Sequence, residues 1–200
     1  LAKTGHWMDI GGSAPGGWAP QAQEIHQEGI IIPPLRLFED GKRNESLVKM
    51  FLANVRLPDQ IGGDIAAMTQ VFHVGRRGLD DLVARYGAAT VRECIDEMML
   101  RSERQMRDHI EQIPDGTYHC TDYFDNDGIV DKPLTVKLAL TVDGSEMHFD
   151  FTGTAPAAAG PLNMAETTTR SLSFVALKHL FPEVPVNGGT FRPTRFTVPQ

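Results

Sequence analysis

The chain has 200 residues, 41% of them apolar and 22% charged, a composition that excludes disorder and suffices for one ordinary domain or two small ones with a packed core. Nineteen Lys and Arg against 26 Asp and Glu leave a net charge of −7, which argues against non-specific binding to nucleic acid or anionic lipid, and no run of about 18 apolar residues offers a membrane-spanning helix. Neither a nucleic-acid nor a membrane partner is expected. Cys94 and Cys120 stand far apart with no metal-type spacing, so neither a disulfide framework nor a structural zinc site is expected, and a reducing, cytoplasmic setting fits.

Residues 1–34 are rich in Gly and Pro, which blocks long helices, while Trp7, Trp18 and Ile30-Ile31-Ile32 are costly to leave in water; an ordered functional loop region is expected rather than a linker. Leu35 to Phe38 reads as a strand and Glu39-Asp40-Gly41-Lys42 as a turn. Asn44 then caps a helix over 45–55. A second helix is expected to start at Gly62-Gly63-Asp64, to carry Ile65, Met68, Phe72, Leu79, Leu82, Val83 and Tyr86 as its buried stripe, and to end at Gly87, with Gly75 and Gly78 as candidate interruptions. A third, over 88–113, presents Val91, Ile95, Met98, Met99, Met106 and Ile110 to the core until Pro114-Asp115-Gly116 stops it. Strands follow over 118–124, 134–142 and 147–151, the last two joined by Asp143-Gly144, as a β-meander. Asp125-Asn126-Asp127-Gly128 reads as a turn, since it lacks the alternate ligands and closing Glu of a calcium loop. A last helix spans 163–181, with Leu172, Phe174, Val175, Leu177 and Leu180 on its buried side, and residues 191–200 look like a strand. The predicted class is α+β: a Gly/Pro-rich segment over 1–43, a helical region over 44–113, and a meander plus helix over 114–200.

Four places could carry chemistry. In Gly5-His6-Trp7-Met8-Asp9-Ile10-Gly11-Gly12, an imidazole and a carboxylate three residues apart suit zinc, manganese or iron(II), although two donors do not complete a site and His6 bonded to Asp9 is an alternative reading. Glu24 and Glu28 would share a face if their segment is helical, where neighbouring carboxylates can do acid/base work; a solvated turn is the alternative. Arg56, just past a helix, could clamp a phosphate or carboxylate or make a structural salt bridge. Asn163, after Gly160-Pro161-Leu162, could bring an amide to a ligand or serve a plain turn. No phosphate loop, dinucleotide fingerprint or serine elbow occurs.

Taken together, Gly5 to Gly12, Glu24-Ile25-His26-Gln27-Glu28-Gly29, Ile32-Pro33-Pro34, Leu52-Ala53-Asn54-Val55-Arg56, Pro114-Asp115-Gly116-Thr117-Tyr118, Asp150-Phe151-Thr152-Gly153-Thr154, Gly160-Pro161-Leu162-Asn163 and Asn187-Gly188-Gly189 resemble the hydantoinase B family. The resemblance implies that the chain, which lacks an initiator Met, is an interior part of a larger B subunit that works in a hetero-oligomer with an A-type subunit handling ATP and Mg. It implies ATP-dependent opening of a small cyclic amide (a hydantoin, 5-oxoproline or lactam): the partner phosphorylates the amide oxygen, and a divalent metal on the B subunit delivers water to the carbon. It carries His6 over as a metal ligand and Asp9 as a ligand or the group that orients one. Glu24 or Glu28 would move protons and Arg56 would hold phosphoryl oxygens, on chemistry rather than on the motif. The family's further metal ligands lie in upstream motifs that are absent here, and Trp7 replaces a second His found in many members. A ketone carboxylase component and a non-catalytic assembly module are the competing expectations.

Overall fold

The computed structural model describes residues 2, 5–17 and 19–199; Trp18, counted above as a reason for order, lies outside the described residues. The chain forms two compact units, Leu1–Arg85 and Tyr86–Gln200, and the class is α+β as expected.

In the first unit a loop region leads to a two-residue hairpin, β1 (Phe38–Glu39) with β2 (Lys42–Arg43). Asp40 and Gly41 adopt positive φ at its turn, the backbone form for which Asp-Gly is suited. Helix α1 (Glu45–Ala53) starts as predicted, with the Asn44 side chain accepting from the Leu47 N–H at 3.1 Å. Helix α2 (Pro58–Tyr86) begins six residues before the expected Asp64. Pro58 stands at its first position, where a missing N–H costs nothing, and Ile61 and Ile65 reward the early start by burying against Phe51. Gly75 and Gly78 do not interrupt it. Trp7, Ile30, Leu37, Leu47, Leu52 and Val55 pack around these three side chains.

The second unit carries α3 (Ala88–Ile110), a sheet of β3 (Gly116–Phe124), β4 (Leu134–Asp143), β5 (Glu146–Asp150) and β6 (Thr194–Thr197), and α4 (Glu166–Leu180). The predicted meander is present: β3, β4 and β5 pair antiparallel in that order, and β6 adds to β5 in parallel. Period-two alternation places Leu138, Leu140, Val142, Met147, Phe149 and Phe196 on one face, where they meet Met106 and Ile110 of α3 and Leu177 of α4. Phe149 stacks on Phe196 with ring centroids 4.9 Å apart. Arg107 bridges Glu103 on its own helix and Ser145 in the β4–β5 turn, and Arg192 reaches Glu103 from the segment before β6.

The expected buried stripes are only half realised. On α2, Phe72, Leu79 and Leu82 are exposed; on α3, Ile95 and Met98 are exposed, Met98 to 61%; on α4, Leu172, Val175 and Leu180 are exposed. The reason is architectural: each helix buries one stretch against its own small core, and nothing among the described residues covers the rest.

Candidate functional site

The Gly-rich loop of the first unit is built by one carboxylate and one guanidinium. Asp9, 1% exposed, accepts from the backbone N–H of Arg56, and Arg56 Nη1 donates to its Oδ1 at 3.0 Å. The same guanidinium donates to the carbonyls of Gly11 (2.9 Å), Ala14 (3.2 Å) and Gly12 (2.7 Å). The Arg56 N–H above all, then its side chain and the Gly11 N–H, hold the Asp9 carboxyl below the usual carboxylate range, against burial that pushes it up. A planar fork of five donors suits this task; a lysine ammonium cannot span the same set.

The two glycines serve the loop's own packing. Gly11 and Gly12 have φ of +83° and +80°, and a Cβ on them would lie 2.5 Å from the Asn54 carbonyl oxygen and 2.7 Å from that of Gln27. Ser13 N–H donates to the Gln27 carbonyl at 2.8 Å and Ile30 N–H to that of Ile10 at 2.9 Å, so residues 9–14 lie stitched between 27–30 and 54–56.

His6 is exposed at the entrance of this loop and makes no hydrogen bond or ion pair among the described residues, so the alternative of His6 bonded to Asp9 is not formed. Asp9 spends its oxygens on Arg56, and among the described residues no group of three His, Cys, Asp or Glu could hold a metal ion. The segment therefore offers one free imidazole but does not compose a metal site by itself. Glu24 and Glu28 flank a single 3-10 turn, Ile25–Gln27, rather than lying on an α-helix, so the shared face that would pair them does not form. Both are exposed. Gln27 ties the turn instead, its side-chain oxygen accepting from the Gln23 N–H at 2.7 Å.

Asn163 belongs to the second unit and closes a loop with its whole amide. Its Oδ1 accepts from Ala158 N–H at 2.8 Å, and its Nδ2 donates to the carbonyls of Ala158 (2.9 Å) and Gly160 (3.1 Å). A residue that sequence reasoning missed organises the same region: buried Asp127 accepts from the N–H groups of Ile129, Val130 and Gly160. Those backbone donors, Val130 first, hold its carboxyl below the ordinary range. The turn residues were legible, the 33-residue reach to Gly160 was not.

Beside the loop, the first unit also contains an apolar cavity of about 490 Å³ whose wall includes Trp7, Phe51, Ile65, Met68 and Phe72. The Trp7 indole Nε1 donates to Met68 Sδ at 3.3 Å, which fixes the ring in that wall.

Comparison with known proteins decides the family. The hydantoinase B/oxoprolinase family matches residues 1–200. The chain belongs to this family. The beta subunit of the caprolactamase of Pseudomonas jessenii is 37% identical over 144 residues, covering 72% of this chain and 25% of that protein. The B subunit of a putative D-/L-hydantoinase of Pseudomonas sp. (strain NS671) is 29% identical over 98% of this chain and 36% of its own length. The crystal structure of the ATP-dependent caprolactamase from P. jessenii superposes with a TM-score of 0.87 at 32% identity, covering 98% of this chain and 34% of that one. An acetone carboxylase structure superposes at 0.89 with 18% identity and shows the shared fold alone. The chain thus spans about a quarter to a third of the length of these relatives. No helix among the described residues is long and apolar enough to cross a membrane.

Proposed function

We infer that this segment forms part of the B subunit of an ATP-dependent cyclic amidohydrolase, opening the ring of a hydantoin, oxoproline or lactam together with an A-type subunit that handles ATP and Mg. The observation that carries the reading is the likeness to the caprolactamase structure, which runs through 98% of the chain at 32% identity. The names of two further relatives, a putative hydantoinase and a 5-oxoprolinase, belong to the same chemical class. Named subunits among the relatives support a hetero-oligomer, and the two free, exposed cysteines fit a reducing cytoplasm.

Within this reading each loop residue has a separate task. His6 contributes one nitrogen to a divalent metal (zinc, manganese or iron) whose other donors lie outside this segment. Asp9 and Arg56 act as positioning residues: the ion pair shapes residues 9–14, the segment that follows His6. Arg56, whose Nη1 and Nη2 already donate to the loop, serves the holding of phosphoryl oxygens through the shape it imposes. Glu24 and Glu28, exposed and next to the loop, are the carboxylates available to move protons. Asn163 acts on a substrate only by shaping the 158–163 loop.

The test is His6→Ala in the full-length subunit. Metal content per subunit and ATP-dependent ring-opening should both fall, turnover by about 100-fold or more. Unchanged metal and turnover would remove the Gly-rich loop from the chemistry.

A further inference from the structure

We propose that the cavity beside Trp7 is a subsite for the uncharged, apolar ring or side group of the substrate, and that it selects against substrates bearing a carboxylate. The proposal rests on the cyclic-amide reading above. Its size, about 490 Å³, lies within the roughly 300–1,000 Å³ of small-molecule sites. None of the residues lining it is Lys, Arg, Asp or Glu. His73, its one titratable side chain, is exposed, and the Thr69 hydroxyl is turned onto its own helix, donating to the Ile65 carbonyl at 2.8 Å. A carboxylate entering the cavity would lose water and find no Lys or Arg on the wall and, apart from the exposed His73 imidazole, no side-chain donor that is not already bonded, whereas an aromatic or methylene group would replace water against Phe51, Ile65 and Phe72. The nearby guanidinium of Arg56 is not in the lining and is committed to Asp9, Gly11, Gly12 and Ala14.

Position ties the cavity to the chemistry. Trp7 follows His6 directly, and consecutive Cα atoms lie about 3.8 Å apart. The indole is anchored on Met68 in the cavity wall, and the exposed His6, outside the lining, immediately precedes it in the chain. The substrate class is therefore a cyclic amide with an apolar ring or substituent, and Trp7 and Phe72 are specificity-determining residues.

The experiment uses the full-length subunit with its ATP-handling partner and a matched pair of probes, 5-benzylhydantoin and 5-(2-carboxyethyl)hydantoin. The benzyl compound should be favoured in kcat/KM by about 100-fold, and Phe72→Arg, a change at a half-exposed position on the cavity wall, should narrow that ratio by at least about tenfold, chiefly through KM, while Phe72→Leu should leave it within about threefold. Equal or better turnover of the carboxylate compound, or a Phe72→Arg effect that is the same on both, overturns the proposal; the second result is the one expected if another segment or the partner fills the cavity. Should neither hydantoin be opened, the lactam panel judges the cyclic-amide reading, and calorimetric binding of 5-benzylhydantoin to the full-length subunit without ATP judges the cavity alone. Binding weakened at least about tenfold by Phe72→Arg supports the subsite, and absent or unaffected binding overturns it.

Discussion

Arg56 Nη1 sits 3.0 Å from Asp9 Oδ1 across 47 residues of sequence, and the same guanidinium gathers the carbonyls of Gly11, Gly12 and Ala14. Removing the fork frees four acceptors at once and leaves Asp9 buried without its cation. Arg56→Ala should therefore loosen residues 9–14, with limited proteolysis inside the loop accelerated by roughly tenfold, and Arg56→Lys should restore little of the protection because one ammonium cannot reach all four oxygens. Equal protection in Arg56→Lys and the parent would contradict the fork geometry.

Asp9 and Asp127 both have carboxyls held below their ordinary range by hydrogen bonds. A depressed carboxylate stabilises the fold above the unfolded value of about 3.9 and loses that contribution as pH falls through the folded value. Stability should therefore be level from about pH 7 to 5 as far as these groups are concerned, then fall on further acidification. In urea titrations, the gap between Asp127→Asn and the parent should be widest at neutral pH and narrow in acid. A gap that widened in acid would reverse the assignment.

Glycines in this chain divide by what a methyl group would meet. A Cβ on Gly189 would lie 1.9 Å from the Met99 carbonyl oxygen, and one on Gly160 the same distance from that of Asp127, whereas at Gly63 on α2 nothing lies within 4 Å. Gly63→Ala should raise stability by about 0.5–1 kcal/mol through helix propensity. Gly189→Ala should lower it by about 1–3 kcal/mol or more, as backbone must shift. Thermal unfolding of the two variants in the full-length subunit checks the contrast.

Ile61 and Ile110 are fully buried, one in each unit's core. Truncation to Ala should cost about 2–5 kcal/mol at either position. Denaturant midpoints give the comparison, with Leu180→Ala, at a side chain exposed on α4, as the reference expected within about 0.5 kcal/mol of the parent.

The regular elements were legible because their signals are local. Asn44 announces α1 through a bond three residues away, and the alternation over 134–142 with Asp143-Gly144 announces the β4–β5 hairpin. The start of α2 departs from the expectation because Gly62-Gly63 looks like a break, while Pro58 and the tertiary burial of Ile61 decide the boundary. The parallel seat of β6 beside β5, the reach of Asp127 to Gly160 and the Asp9–Arg56 pair depend on contacts between distant segments, which no local spacing encodes. For the candidate site, the motif marked a loop that tertiary hydrogen bonds order, but Asp9 faces inward to Arg56 while His6 is exposed. That division follows from burial, which the sequence pattern alone does not supply.

The most direct test of the central claim is product analysis of the full-length subunit reconstituted with its A-type partner, ATP, Mg and a panel of lactams and hydantoins, with bicarbonate and a ketone in parallel. Ring-opened amino acid formed together with ADP and phosphate is the predicted result; carboxylation of the ketone without any ring-opening would contradict it.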